Sequence, residues 1–150
     1  MTDKVSFGAG CFWGIQEHFR TLKGVVATHV GYQGGHSVNP SYEDVCTDLT
    51  GHAEVVLVEY DPHLITFEQL LELFWKIHDP TTKNRQGYDT GSQYRSAIFC
   101  YTPEQLHKAL ASKAEKSKTL KGIVTEIVMA PPFYIAEGYH QCYLQKKRTQ

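Results

Sequence analysis

The chain has 150 residues, of which 41% are hydrophobic and 21% are charged, and its formal net charge is −1. A chain of this length predicts one domain, residues 1–150, with a substantial core. The near-neutral charge gives no electrostatic reason to expect nucleic acid or a membrane surface as a partner. No apolar run approaches the length of a membrane span, and residues 1–4 lack a signal-peptide pattern. We therefore expect a cytoplasmic protein that is a monomer.

The hydrophobic pattern predicts alternating strands and helices along the chain. Strands are expected at residues 4–8, 25–32, 53–60, 95–101 and 123–130. Helices are expected at residues 11–23, from the cap Thr66 to about residue 78, and from the cap Thr102 to near residue 122. Long polar loops are expected at residues 33–44 and 79–94, and an irregular tail from residue 133. This order predicts an α/β (α+β) two-layer sandwich, with a mixed sheet and a split βαβ, ferredoxin-like core.

The segment Gly10-Cys11-Phe12-Trp13-Gly14 lies where the first predicted strand gives way to the first helix. Backbone N–H groups at a helix N-terminus, together with the helix macrodipole, favour a thiolate. The glycines permit close approach of another molecule, and the two aromatic rings offer an apolar surface beside the sulfur. A lone cysteine is more often a small buried hydrophobe. The flanking glycines and adjacent aromatics nevertheless make Cys11 a candidate nucleophile.

Three further cysteines, Cys46, Cys100 and Cys142, are far apart in sequence and form no C-x-x-C pair. Without a secretory signal, a chain of this size does not predict a structural disulfide framework. The eight histidines show no usual metal-ligand spacing, so the sequence predicts no metal site, although a fold can bring distant ligands together. These features fit a reducing compartment and a working thiol.

A second candidate is Glu54, at the start of the apolar strand predicted at residues 53–60. If its strand neighbours are buried, desolvation raises the pKa of this carboxyl and keeps it protonated at neutral pH, as a general acid requires. Taken alone, a glutamate at a strand start is more often exposed. Both interpretations stay open on these residues.

Three loop residues complete the candidate set. Tyr42 and Tyr94 each end a loop, where a phenol can donate a hydrogen bond to a polar substrate atom while its ring lines an apolar pocket. Asp89 lies in a glycine-bearing turn and is suited to accept a hydrogen bond from a substrate N–H. Each also has a simpler interpretation, since loop tyrosines commonly pack against neighbours and an aspartate commonly stabilises its own turn.

Six segments together resemble one known family across nearly the whole chain. They read, in order, GCFWG, GYQGG, NPSYEDVC, TGHAEVV, NRQGYDTGSQYRSAIF and FYIAEGYHQ. The chain resembles the family of peptide methionine sulfoxide reductases A. The resemblance implies an oxidoreductase that repairs oxidative damage by reducing the S epimer of methionine sulfoxide, free or in proteins. It also implies no metal or organic cofactor, and recycling by thioredoxin or another external thiol.

The resemblance assigns a role to each matching residue. Cys11 corresponds to the nucleophile, which becomes a sulfenic acid, and Glu54 to the acid that protonates the sulfoxide oxygen. Tyr42 and Tyr94 correspond to the pair that hydrogen-bonds that oxygen. The substrate-binding positions of the family correspond to Phe12, Trp13, Asp89, His140 and Tyr143.

The sequence departs from the family pattern in its tail. Many members carry resolving cysteines in a glycine-rich extension that does not follow Cys142 here. Cys142 is then the candidate resolving cysteine, with an external thiol as the alternative. Cys46 and Cys100 lie in segments that look structural, and we expect both to be packing residues. Gly138 stands where many members have an acidic residue, so contacts from the tail are less expected than contacts from the first loop.

Two alternatives to a reductase stay open. A thiol peroxidase or general disulfide exchanger would also use Cys11, but the missing C-x-x-C motif and the adjacent aromatics argue against it. A non-catalytic relative would bind methionine-containing peptides in the same pocket without turning them over. Activity toward the two sulfoxide epimers and toward peroxide separates the three.

Overall fold

The computed structural model describes residues 2–141. In chain order its strands and helices are β1 Asp3–Ala9, α1 Phe12–Arg20, β2 Val25–Gln33, α2 Tyr42–Cys46, β3 Ala53–Tyr60, α3 Phe67–Lys76, β4 Arg85–Gln86, β5 Asp89–Thr90, β6 Ser96–Cys100, α4 Pro103–Lys116, β7 Glu126–Met129 and β8 Tyr134–Ile135. Short 3₁₀ helices lie at Ser92–Tyr94 and Gly138–His140. None of the helices in this part of the chain is both long and apolar enough to cross a membrane.

The main sheet has the strand order β7-β6-β1-β3-β2-β8. β3 lies between β1 and β2 and is antiparallel to both, so β1-α1-β2 is a βαβ unit split by an inserted strand. β1 in turn lies between β3 and β6 and is antiparallel to both, which makes β3-α3-β6 a second split unit. β6 and β7 pair in parallel, so the sheet is mixed. The predicted mixed sheet with a split βαβ core is confirmed.

The main core lies between this sheet and the helices. Successive residues of a strand point to opposite faces, so Val56 of β3 packs with the helices while Val55 packs on the other face. The buried residues Ile15 and Phe19 form the apolar stripe of α1. The ring of Phe19 stacks on that of Phe7 in β1, with ring centroids 4.9 Å apart. This packing fixes α1 against the sheet and therefore fixes its N-terminal end, where Cys11 lies.

The helix predicted at residues 102–122 and the strand predicted at residues 123–130 are both too long. α4 ends at Lys116, and the residues that follow form turns, in one of which the backbone N–H of Leu120 donates to the carbonyl of Lys116 at 2.9 Å. The N–H of Val124 then donates to the carbonyl of Pro80 at 2.8 Å, which ties this segment to the loop after α3 before β7 begins. A lysine-rich run has adequate helix propensity, but tertiary contacts decide where the helix ends.

Three segments predicted to be irregular contain regular structure, namely α2, the β4–β5 hairpin and β8. In addition, α1 ends at Arg20 rather than near residue 23. α2 begins after Ser41, whose Oγ accepts from the N–H of Asp44 at 3.1 Å while the Asp44 carboxylate accepts from the N–H of Ser41 at 3.1 Å. This reciprocal pair is a capping box, and the S-x-x-D pattern that encodes it is visible in the sequence. In the tail, β8 pairs with β2 and brings the chain back to the edge of the sheet.

Candidate active site

Cys11 is the N-cap residue of α1, directly after β1, as its segment predicts. As a residue, Cys11 is half-buried. Gly10 has a φ of +108°, in the region that favours glycine. A Cβ on Gly10 would also lie 3.0 Å from two carbons of the Gln86 side chain, so the β4–β5 hairpin packs directly beside the cysteine. The turn at Gly10 is what presents the sulfur between α1 and this hairpin.

The thiol of Cys11 is protonated at neutral pH in the substrate-free protein. Burial raises its pKa to about 11; the backbone N–H groups of Trp13 and Gly14 act to lower the pKa, and the negative charges of Glu54 and Asp89 raise it. The predicted hydrogen bonds from helix N–H groups to the sulfur are therefore present. The prediction that they ionise it is wrong for this state, because burial outweighs them and the charge of Asp89 adds to the effect.

Glu54 lies in β3 beside the cysteine and is 1% exposed. Its Oε1 accepts a hydrogen bond from the backbone N–H of Phe12 at 3.2 Å, while its Oε2 has no partner among residues 2–141. Burial raises the pKa of this carboxyl to about 8; the Phe12 amide acts to lower it and the charge of Asp89 to raise it. The predicted burial and raised pKa are confirmed, so the group is mainly a neutral acid at pH 7 with one oxygen available for a ligand.

An aromatic wall stands beside these two groups. Phe12 is buried, and its ring centroid lies 5.2 Å from that of His140 and 6.4 Å from that of Tyr42. The indole N–H of Trp13 donates to Nδ1 of His140 at 2.9 Å, which fixes the half-buried indole. The structure therefore brings Phe12, Trp13, Tyr42 and His140 together, from the first helix, the first long loop and the tail.

Asp89 and Tyr94 approach from the second long loop. Asp89 is exposed in β5, and its charge raises the pKa of both Cys11 and Glu54, which places it near them. Burial raises the pKa of Tyr94 to about 12, with the charges of Glu54 and Asp89 adding to the effect. This loop is tied to the first one by the N–H of Ser92, which donates to a carboxylate oxygen of Asp48 at 2.9 Å.

Tyr42 lies at the start of α2, with its phenol close to the same acid. Burial raises its pKa, and a hydrogen bond to Cys46 and the charge of Glu54 raise it further. The hydroxyl therefore stays protonated at any pH at which the protein works and is able to donate a hydrogen bond. Both candidate tyrosines thus keep a donor near Glu54.

The three remaining cysteines have different outcomes. Cys100 is fully buried in β6, as predicted for a packing residue. Cys46 is exposed, so the prediction that it is a packing residue is wrong. α2 is only five residues long and buries Val45 alone, which leaves the thiol of Cys46 at the surface beside the Tyr42 phenol. Cys142 lies outside the described residues, as does Tyr143.

Sequence reasoning missed two tail residues that hold the site together. Glu137 accepts hydrogen bonds from the Tyr32 hydroxyl and from the Tyr42 backbone N–H. Gln141 uses its side-chain amide to accept from the N–H of Val30 and to donate to the carbonyl of the same residue, both at 2.9 Å. Both residues lie in the FYIAEGYHQ segment, which was the available signal, but a motif does not say which of its residues bind the rest of the fold. Tail contacts are extensive despite Gly138.

The convergent groups define a class of protein. In residues 2–141, no group of three or more His, Cys, Asp or Glu side chains is arranged to hold a metal ion. The groups that do converge are one thiol, one buried neutral carboxyl and two phenols beside an aromatic wall. A two-layer α+β domain with this arrangement is a cysteine-dependent oxidoreductase for a small substrate that combines apolar and polar parts.

Comparisons with known proteins identify the family. A family model described as peptide methionine sulfoxide reductase matches residues 3–150. The chain is 60% identical over 148 residues to peptide methionine sulfoxide reductase MsrA of Methanosarcina acetivorans, covering 97% of this chain and 79% of that protein. Methionine sulfoxide reductase A of Corynebacterium diphtheriae superposes with a TM-score of 0.95 at 40% identity, covering 99% of this chain and 76% of that chain. Mxr1 of Saccharomyces cerevisiae, solved in complex with Trx2, gives a TM-score of 0.68 at 27% identity, covering 95% of this chain and 84% of that chain.

The chain belongs to the peptide methionine sulfoxide reductase family. The resemblance drawn from the six sequence segments is thereby confirmed, and so is the prediction of an enzyme that reduces methionine sulfoxide.

Proposed function

We propose that Cys11 attacks the sulfur of the S epimer of methionine sulfoxide, free or in proteins, while Glu54 protonates the sulfoxide oxygen. The observation that carries this proposal is the position of the Glu54 carboxyl. It is buried beside Cys11, its pKa is raised to about 8, and its Oε2 has no partner among residues 2–141. A neutral acid with a free oxygen next to a nucleophile is what proton donation to a departing oxygen requires.

The pocket has a part for each end of the sulfoxide group. The rings of Phe12 and Trp13 suit the methyl group, since an aromatic wall favours an apolar carbon. Tyr42 and Tyr94 keep their hydroxyl protons and so donate to the sulfoxide oxygen, where negative charge develops as the S–O bond weakens. Asp89 is exposed at the edge of the pocket and is placed to accept from a backbone N–H of the substrate. His140 acts here through Trp13, whose indole it orients.

The proton and electron balance of the first step fits these groups. The Cys11 sulfur gains a bond to the sulfoxide sulfur, Glu54 gives its proton to the oxygen, and the thiol proton of Cys11 returns Glu54 to its acid form. Transfer of the hydroxyl group to Cys11 breaks both the S–O bond of the substrate and the new bond between the two sulfurs, and leaves a sulfenic acid and the thioether. The substrate sulfur is reduced by two electrons and the cysteine sulfur is oxidised by two. No cofactor is needed for this exchange.

Recycling requires a second thiol. Condensation of the Cys11 sulfenic acid with a thiol forms a disulfide and releases water, and a dithiol reductant then restores both thiols. We assign the second thiol to Cys142, with an external thiol as the alternative. The reductant is of the thioredoxin type, in line with the yeast relative that was solved in complex with Trx2.

The substrate proposal is tested by incubating the protein separately with the S and R epimers of methionine sulfoxide, with dithiothreitol as reductant. We expect methionine from the S epimer alone. Equal conversion of both epimers would contradict the epimer assignment. Consumption of hydrogen peroxide without conversion of either epimer would favour the peroxidase alternative, and binding without product would favour a non-catalytic relative.

The recycling proposal is tested by the mass of the protein after one turnover without reductant. An internal disulfide formed by Cys142 gives a loss of two hydrogens, and Cys142→Ser gives a gain of one oxygen. Cys46→Ser and Cys100→Ser are the matched controls and should still lose two hydrogens. A gain of one oxygen by the unsubstituted protein would show that Cys142 does not resolve the sulfenic acid and that the thiol comes from outside.

A further inference from the structure

One carboxylate that the sequence did not single out joins three parts of the active site. Glu137 directly precedes the 3₁₀ helix of the tail. Its Oε1 accepts from the hydroxyl of Tyr32 in β2 at 3.0 Å, and its Oε2 accepts from the backbone N–H of Tyr42 at 3.1 Å. Because Tyr42 is the first residue of α2, this side chain holds the start of that helix to the sheet and to the tail.

Glu137 carries a negative charge in this position. Burial acts to raise its pKa, but hydrogen bonds from its own backbone and from Tyr42 and Tyr32 outweigh burial and leave the pKa below its ordinary value. A carboxylate accepts hydrogen bonds at both oxygens, whereas a glutamine presents one acceptor and one donor group. A glutamine whose NH2 group donates to the Tyr32 hydroxyl, which also accepts, keeps its oxygen on the Tyr42 N–H, so Glu137→Gln retains the contact that Glu137→Ala removes.

The tail contacts α1 as well as α2. Three residues after Glu137, His140 accepts from the indole N–H of Trp13 at 2.9 Å, and its ring lies 4.5 Å from that of Tyr42 between centroids. The tail therefore contacts both walls of the pocket, the α1 wall through His140 and the α2 wall through Glu137. The backbone of Tyr42 has its contact to the tail through Glu137, so the position of its phenol depends on that carboxylate.

We propose that Glu137 is a positioning residue for sulfoxide reduction, acting through Tyr42. The carboxylate fixes the first residue of α2 and thereby sets where the Tyr42 hydroxyl meets the substrate oxygen. This inference rests on the proposed role of Tyr42 in the reaction. The contacts of Glu137 also explain how the tail is held at the site although the next residue, Gly138, has no side chain.

The test is a double-mutant cycle on the single-turnover rate of Cys11 oxidation by the S sulfoxide at saturating concentration. Glu137→Ala and Tyr42→Phe are each expected to slow the step about tenfold, whereas Glu137→Gln, which retains an acceptor for the Tyr42 N–H, should keep most of the rate. The double variant should be no slower than Tyr42→Phe, because a hydroxyl that is absent is not misplaced by loss of the carboxylate. A double variant whose rate loss is the product of the two single losses would overturn the proposal. If the unsubstituted protein does not reduce the S sulfoxide, the proposed function fails. If it does so and the cycle is multiplicative, only the role of Glu137 fails.

Two further variants separate positioning from a general structural role. Glu43→Gln changes an exposed carboxylate next to Tyr42 and should keep the full rate. Tyr32→Phe removes the donor to Oε1 but leaves the bond between Oε2 and the Tyr42 N–H, so the rate should change by less than about twofold. A loss with Tyr32→Phe as large as that with Glu137→Ala would contradict action through Tyr42. If Glu137→Ala fails to fold, the same cycle is run with Glu137→Asp, with the same outcomes.

Discussion

Two polar clusters hold a buried titratable group in its neutral form, yet their surroundings differ. Around His78, at the end of α3, both ring nitrogens have partners at 2.7 Å, the carbonyl of Phe74 and the Oγ of Ser96. A carbonyl only accepts, so Nδ1 donates to Phe74 and Nε2 accepts from Ser96. Ser96 in turn bonds Thr125 at 2.7 Å. Burial lowers the pKa of this histidine to about 4, against the raising effect of the Phe74 carbonyl, so the ring is neutral.

The pocket beside Cys11 is built in the opposite way. Within residues 2–141, Oε2 of Glu54 and Nε2 of His140 are buried without hydrogen-bond partners. Native proteins satisfy nearly all buried polar atoms, so exceptions call for an explanation. The satisfied cluster at His78 stabilises the fold, whereas the unsatisfied atoms near Cys11 keep hydrogen-bonding capacity for a substrate. The comparison predicts that substitutions at the two clusters affect different measurements.

The largest expected effect is the loss of catalysis in Cys11→Ser. A serine hydroxyl does not form the sulfenic acid, so no methionine should be produced from the S sulfoxide, even in a single turnover. The measurement is methionine released per protein molecule. Cys100→Ala, which removes a buried sulfur far from the chemistry, is the control and should still convert substrate. Conversion by Cys11→Ser would refute the nucleophile assignment.

Glu54→Gln is expected to slow the single-turnover rate by about 10²- to 10⁴-fold, because it removes the proton donor. The same change should stabilise the fold. The pKa of Glu54 is about 8 when folded, against an ordinary value of 4.5, so between these values the folded state holds a proton that the unfolded state lacks. Stability therefore falls as pH rises through this window, by about 1.4 kcal/mol per unit.

Urea unfolding of Glu54→Gln at pH 5 and pH 8 measures the stability effect. The unsubstituted protein should lose stability between the two values, and the glutamine variant should lose much less because it has no proton to release. Equal losses in both proteins would show that Glu54 does not carry the pH dependence. If Glu54→Gln is more stable than the unsubstituted protein but reduces the sulfoxide more slowly, the carboxyl serves function at the expense of stability.

His78→Ala is expected to lower the free energy of unfolding by about 1–3 kcal/mol, since it removes the ring N–H that donates to the Phe74 carbonyl and the ring nitrogen that accepts from the Ser96 hydroxyl. The rate per folded molecule should not change. In the unsubstituted protein, stability should fall as pH drops from 6.5 toward 4. In this range the unfolded histidine binds a proton, whereas the folded one, with a pKa of about 4, does not. Urea midpoints across this range provide the measurement. A change in the rate per folded molecule would contradict a purely structural role.

The smallest expected effect is that of Tyr94→Phe, about two- to tenfold on the single-turnover rate, because Tyr42 and Glu54 still contact the substrate oxygen. Tyr88→Phe, which changes an exposed tyrosine in the same loop, is the matched control and should be unaffected. A rate loss with Tyr94→Phe as large as that with Glu54→Gln would indicate that the phenol is the proton donor.

The sequence predicted most of the fold because local signals there agree with tertiary packing. Thr66 and Thr102 cap their helices as expected, and the apolar strand at residues 53–60 has the predicted bounds. The end of α4 was missed because helix propensity continues through the lysine-rich run. The segment after Lys116 is instead held to the loop after α3 by the bond from Val124 to Pro80, and local preferences do not include that contact.

The site was predicted unevenly for a related reason. The location of Cys11 follows from a short segment, whereas the burial of Glu54 was left open by the residues around it. The ionisation of Cys11 was not predictable, because its pKa depends first on burial and then on carboxylates from β3 and β5, which only the fold brings together. Cys46 was misjudged because five-residue helices bury little, and Glu137 was missed because its two partners lie more than ninety residues away.

The most direct test of the account is the pH dependence of single-turnover Cys11 oxidation by the S sulfoxide, measured with and without Glu54→Gln. With Glu54 as the acid, the rate of the unsubstituted protein should be level below pH 8 and fall above it, as the carboxyl with a pKa of about 8 loses its proton. The glutamine variant should be slow and lack this fall. A rate of the unsubstituted protein that keeps rising through pH 9 would contradict proton donation by this residue.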